Sequence, residues 1–144
     1  MLLGLDPVLS PDLLHALAAM GHGDRIVLVD ANYPATRGRR LVHLPGLPTP
    51  RVLEAVLSVF PIDTFTPAPC AIMQVVGEPG AVPPVVAEMN VALARHGAGP
   101  AVGVERTAFY AAAETAYAIV QTGERRFYGN ILLTKGVVAP EERA

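Results

Sequence analysis

Apolar residues along this chain follow two rhythms. Helical spacing marks Leu13, Leu14, Leu17 and Met20, then Val52, Leu53, Val56, Leu57 and Phe60, then the stretch from Val85 to His96. Each stretch carries boundary chemistry. Ser10-Pro11-Asp12 supplies a cap, a first-turn proline and an acid against the positive dipole end, and Thr49-Pro50 repeats the start signal. Pro83 and Pro84 open the third helix and Gly97 closes it, while Pro61 stops the second and Gly21 supplies the left-handed residue expected to end the first.

Between the helical stretches lie unbroken β-branched and aliphatic runs. Ile26 to Val29 is the pattern of a strand buried on both faces, and it delivers Asp30 at its carboxyl end. Leu41 to Leu44 reads as a brief strand and Cys70 to Val76 as another. The last third alternates quickly: Ala101 to Val104 extended, Thr107 to Thr115 helical, Tyr117 to Gln121 extended, a turn at Gly123, and Tyr128 to Leu133 extended again. Interleaved strands and helices predict an α/β fold, one compact domain over residues 1–144. Its central sheet is of mixed or mainly parallel strands with helices packed on its faces, antiparallel pairing falling at the short turns, and residues 139–144 form a frayed tail.

Composition narrows the functions open to such a domain. Eleven basic residues against thirteen acidic, with no basic run, exclude a nucleic-acid surface. No apolar run approaches a membrane span, and the amino terminus lacks the basic and apolar regions of a signal peptide, so no membrane partner is expected. The single cysteine, Cys70, permits no intrachain disulfide and fits the cytoplasm; it reads as a core residue. A mean hydropathy of +0.38 with 17% charged residues is greasy for a small monomer, and burial in subunit contacts is the outlet.

Few residues carry chemistry. His22 stands where the chain leaves its first helix, as a titratable group outside regular structure or as a cation for helix-end carbonyls. Asp30 sits where open α/β sheets bind ligands, and equally suits an Asx turn launching the loop to Pro34. Arg106 is a free cation or a partner of Glu105 or Glu114. Tyr128 and Asn130, two apart in an extended run, present one hydrogen-bonding face, with packing as the alternative for Tyr128. His15, His22, His43 and His96 lack metal-site spacing, and no phosphate-binding glycine loop or nucleophile elbow is present, so neither metal nor cofactor is expected.

Four motifs in order, Gly21-His22-Gly23-Asp24, Asp30 to Ala35, Arg106 with Phe109-Tyr110, and Gly123-Glu124-Arg125-Arg126-Phe127-Tyr128-Gly129-Asn130 running on to Leu133 with Lys135-Gly136-Val137, resemble the L-fucose mutarotase and D-ribose pyranase family, and its fucose branch in particular. The resemblance covers about Leu9 to Val138. It implies interconversion of sugar anomers by ring opening and closure, without cofactor. It makes His22 the catalytic acid and Asp30, Arg106, Tyr128, Gly129 and Asn130 the monosaccharide-binding positions. An imidazole suits such proton shuttling near neutral pH. Phe109 or Tyr33 can pack on a sugar's apolar face, with core packing as the alternative. The resemblance also implies a ring-like homo-oligomer of high order, a decamer among the candidates, with pockets near subunit contacts.

Two features qualify the expectation. A straight strand from Asp24 to Val29 separates His22 from Asp30 by about 20 Å, too far for one monosaccharide. Either the glycine loop folds back, the strand is shorter, or another subunit completes the pocket. Ala111-Ala112 and Thr107 replace a Glu-Arg pair and an aromatic common in the fucose branch, which bears on the sugar rather than the reaction. A pyranase or mutarotase for D-ribose or another pentose, and a non-catalytic sugar sensor, stand as alternatives.

Overall fold

In the computed structural model, which describes residues 1–141, the chain runs α1 (Pro11–Ala19), β1 (Arg25–Val29), β2 (Leu41–Leu44), α2 (Thr49–Leu57), β3 (Cys70–Met73), α3 (Pro84–Arg95), β4 (Val102–Val104), α4 (Arg106–Thr115), β5 (Ala118–Thr122) and β6 (Ile131–Thr134). A 3-10 turn, Ala35–Arg37, lies between β1 and β2. Six strands form one sheet in the order β2-β5-β1-β6-β3-β4. β1 and β5, β2 and β5, and β3 and β4 pair parallel; β6 runs antiparallel between β1 and β3. Mixed pairing is therefore present, but not as the hairpin expected at Gly123. β5 and β6 are not neighbours, because β1 intervenes.

The apolar runs are continuous because both sheet faces are covered. Ile26, Leu28, Val120, Ile131 and Leu133 point into a core shared with α1, α2 and α3. The alternate residues Val27, Val29, Ile119 and Leu132 point into a smaller core made with Phe109 and Ala113 of α4. Period-two alternation thus sorts residues between two apolar layers rather than between core and water.

Several local expectations change. Ser10 caps α1 by accepting from the Leu13 N–H at 3.3 Å, as read, but Met20 ends the helix in extended backbone and the left-handed residue is Gly23 (φ 84°), not Gly21. Thr49 is the first residue inside α2 with Pro48 at the cap, so its hydroxyl is free for other work. β3 stops at Met73, where the chain turns between Val75 and Glu78. Tyr128 to Asn130 is not strand: Tyr128 is the one non-glycine with positive φ (65°) among the described residues. Of the expected frayed tail, Ala139 to Glu141 has no regular element and the remainder lies outside the described residues.

Candidate functional site

The carboxyl ends of the parallel strands converge on a cleft of about 230 Å³ lined by Asp30, Asn32, Tyr33, Met73, Arg106, Tyr110, Phe127, Tyr128 and Asn130. The topology explains the convergence. β1 delivers Asp30 directly after Val29, β3 ends at Met73, β4 hands over to α4 at Arg106, and antiparallel β6 begins just after Asn130. Four of the six candidate residues, Asp30, Arg106, Tyr128 and Asn130, therefore share one cleft. Gly129 lies buried behind it, its carbonyl accepting from Thr49 Oγ1 at 2.8 Å.

Asp30 is 5% exposed. Its Oδ1 accepts the Asn32 N–H at 3.0 Å, so the Asx turn is real, and its own N–H donates to Asn130 Oδ1 at 2.8 Å. Burial raises its carboxyl above the usual range, against the pull of those hydrogen bonds. An under-solvated carboxylate in a cleft is a strong acceptor for hydroxyl donors. Arg106 is exposed and has no ion-pair partner among the described residues; its guanidinium carbon lies 6.0 Å from the Tyr110 ring centre. The pairing with Glu105 or Glu114 weighed from sequence is absent there. Glu105 instead accepts the Ala108 N–H at the start of α4. Tyr33 packs against Phe109 and Tyr110, at 6.4 and 5.3 Å between ring centres. Phe109 is fully buried, the core alternative for that residue, whereas Tyr33 is both buried and part of the cleft wall. Burial pushes the Tyr33 phenol well above its usual range, so it stays protonated and available as a donor.

Tyr128 reaches the cleft by its left-handed backbone rather than by strand alternation. Its hydroxyl accepts the Val76 N–H at 3.2 Å and keeps its own proton to give. Behind it, Glu124 is 3% exposed and takes three hydrogen bonds from Arg126, which also grips Glu88 on α3 at 2.7 and 3.0 Å. The Arg126 side chain holds the Glu124 carboxyl below its usual range despite burial.

His22 is elsewhere. It sits at the amino end of β1, in a turn stitched to Lys135 by Gly23 N–H to Lys135 carbonyl and Lys135 N–H to Asp24 carbonyl, each 2.8 Å. Lys135, not His22, serves the helix end: its Nζ donates to the Leu17 and Met20 carbonyls at 2.6 Å each. The imidazole is 47% exposed and Nε2 lies 3.0 Å from Oδ1 of Asp63, whose side chain is 1% exposed. Burial acts to raise the Asp63 carboxyl, and hydrogen bonds from His22, Thr66 and Phe65 outweigh it, leaving the group below its usual range. An ionised Asp63 fixes the ring, whose centre lies 5.3 Å from that of Phe65. The five residues of β1 put about 15 Å between this pair and the cleft, and the turn does not fold back over the sheet.

Sequence reasoning missed Asp63, which follows Pro61-Ile62 with no spacing signal, and missed Met73 at the end of a strand drawn too long. Cys70 is 3% exposed with its thiol pushed up to about 11 by burial, consistent with a core residue. Among the described residues no cluster of three or more His, Cys, Asp and Glu is placed to hold a metal ion, and no helix is long and apolar enough to cross a membrane.

Comparison with known proteins finds relatives over nearly the whole chain. The human protein named fucose mutarotase is 45% identical over 144 positions, covering 94% of each chain. The L-fucose mutarotase of Actinobacillus pleuropneumoniae serotype 5b (strain L20) is 44% identical over 142, covering 95% of this chain and 97% of its own. The crystal structure of a fucose mutarotase from Streptococcus pneumoniae in complex with L-fucose superposes with a TM-score of 0.90 at 37% identity, covering 96% of this chain and all of that one. Residues 3–138 match a single family description, so with fold, motifs and relatives in accord the chain belongs to the RbsD / FucU transport protein family.

Proposed function

We propose that this protein is an L-fucose mutarotase, a carbohydrate isomerase that interconverts the α and β anomers through the open-chain aldehyde. The observation that carries the reading is the cleft itself, in which Asp30, Arg106, Tyr128 and Asn130 meet beside the apolar surface of Met73, Tyr110 and Phe127. That pairing suits a deoxy sugar with several hydroxyls and one methyl group. The relatives named for fucose support the choice of sugar.

In the reaction, one group gives a proton to the ring oxygen as its bond to the anomeric carbon breaks, and another takes the anomeric hydroxyl proton. Rotation about the neighbouring carbon–carbon bond turns the other carbonyl face inward, and the reverse transfers close the ring. We assign the acid role to His22, oriented by Asp63, and hydroxyl recognition to Asp30, Arg106, Tyr128 and Asn130. Gly129 contributes through the backbone it fixes between Tyr128 and Asn130.

Because cleft and imidazole occupy opposite ends of β1, the assignment requires a homo-oligomer in which His22 of one copy enters the cleft of the next. Exposed Phe65 beside His22 and Phe127 at the cleft, 73% and 74% accessible, are the apolar surfaces such a contact would bury. A head-to-tail contact of this kind gives a closed ring when its rotation closes and an open filament otherwise, and we assign the ring. The free Cys70 thiol fits a reducing compartment, and we assign the protein to the cytoplasm.

Saturation-transfer NMR of L-fucose with D-ribose alongside tests the activity, and mixing tests the sharing. His22→Ala and Arg106→Ala are each expected to be inactive. Co-refolding them in equal amounts is expected to restore about a quarter of wild-type exchange, since a quarter of contacts then pair two intact halves. No restoration, or a monomeric mass in light scattering, would refute the shared site. Sugar bound without faster exchange would make the protein a sensor.

A further inference from the structure

Tyr128 holds a backbone conformation that a side chain disfavours, φ 65°, at the point where the cleft needs it. Such residues persist only where their surroundings over-determine them. The surroundings here are a buried polar chain that the proposed reaction does not use. Thr49, 0% exposed at the start of α2, donates to the Gly129 carbonyl at 2.8 Å and lies 2.9 Å from Thr122 Oγ1. The Thr122 hydroxyl donates to the Val29 carbonyl at 2.9 Å and accepts the Glu124 N–H at 3.1 Å.

Glu124 closes the chain from below. Its Cγ lies against Gly129 so tightly that a Cβ there would stand 2.6 Å away. Its carboxylate is locked by Arg126, and Arg126 by Glu88 on α3. Its carbonyl accepts the Ala31 N–H at 2.9 Å, directly after Asp30. The segment after β5, the end of β1 and the start of α2 are thus fastened to each other at the residues that flank the sugar-binding groups.

The geometry points to Thr49, Thr122 and Glu124 as positioning residues: a buried chain that sets the Tyr128 to Asn130 backbone, and through it the distance between the Tyr128 hydroxyl, Asn130 and Asp30 that a monosaccharide must span. None of the three lines the cleft, and each acts through the Gly129 carbonyl or its Cα. The inference rests on the sugar-binding reading of that cleft. It adds that binding is governed by hydroxyls outside it.

The test compares Thr49→Val with Thr49→Ser, measuring L-fucose affinity by titration calorimetry and thermal stability in parallel. Valine keeps the volume and removes the hydrogen bond to Gly129, and is expected to weaken binding about tenfold; serine is expected to restore it to within about twofold. Leu93→Val, a core change near the carboxyl end of α3, lowers the melting temperature while leaving affinity unchanged. Arg126→Gln, on the surface and compatible with folding, frees Glu124 and is expected to weaken binding severalfold. Affinity equal to wild type in both Thr49→Val and Arg126→Gln would overturn the inference alone. Loss of affinity in Leu93→Val as large as in Thr49→Val would also overturn it, since stability would then explain both. A wild-type chain that binds neither L-fucose nor D-ribose would overturn the cleft reading, and this inference with it.

Discussion

Gly129→Ala adds one methyl group where the structure leaves none. The new Cβ would stand 2.6 Å from Glu124 Cγ, 3.4 Å from Val85 Cγ2 and 3.5 Å from Thr49 Oγ1. The last two distances are tolerable; the first is about 1 Å short of ordinary carbon contact. Glu124 cannot swing aside, because its carboxylate is held by Arg126 on one oxygen at 2.9 and 3.0 Å and on the other at 2.9 Å. Either Glu124 gives up part of that grip or the segment carrying Tyr128 lifts. Overpacking of this kind costs about 1–3 kcal/mol, which for a chain of this size lowers the melting temperature by roughly 3–10 °C. The strain also acts on the cleft, so L-fucose affinity falls together with stability. Differential scanning calorimetry with and without sugar reads both. An alanine variant that melts within 1 °C of wild type, and is stabilised equally by L-fucose, would refute the packing argument, since a rigid Glu124 could not have admitted the methyl group.

Other substitutions test separate parts of the site. His22→Ala is expected to slow anomer exchange by about 10²–10⁴-fold, with the fold retained because the ring is half exposed, as circular dichroism would register. Asp30→Asn is expected to abolish sugar binding and raise stability at neutral pH. Asp30's folded pKa is raised, so its contribution is full below about pH 4 and is lost as pH rises through the raised value. Urea midpoints of variant and wild type should therefore diverge as pH rises above about 4, and parallel midpoints would count against it. Asp63 has the opposite sign: its pKa is lowered, so its contribution is full above about pH 4 and is lost as pH falls through the lowered value. Asp63→Asn should flatten the acid side of the stability profile and slow exchange by about 10–100-fold by releasing the His22 ring.

Much of the scaffold was legible because its signals are local. Ser10-Pro11-Asp12 places the start of α1, and Gly97 (φ 75°) closes α3 as read. A run such as Ile26 to Val29 needs only its β-branched and aliphatic content to be seen. What failed was longer in range. The position of β6 between β1 and β3 depends on burial of both its faces, which no turn signal encodes. The extension of β3 to Val76 failed because Val75 and Val76 carry strand propensity into a turn that tertiary contacts impose. At the site, Asp30 and Asn130 were found from element ends. Asp63 was invisible because its role exists only through His22, 41 residues away. The separation of His22 from Asp30 was the informative conflict: it followed from strand geometry alone, and β1 still stands between them.

The place of β6 also governs how the chain can reach its native state. Without residues 131–134 the sheet is two unconnected pieces, β2-β5-β1 and β3-β4, each with an open edge and an uncovered apolar face. The strand that joins them is last in order, so earlier segments have no complete sheet to join while it is being made. Pairings this distant in sequence close slowly, and the open edges of the waiting pieces invite association with other chains. Folding should therefore be concerted and late, with aggregation rather than a stable half-domain as the fate of any chain that lacks its final strand.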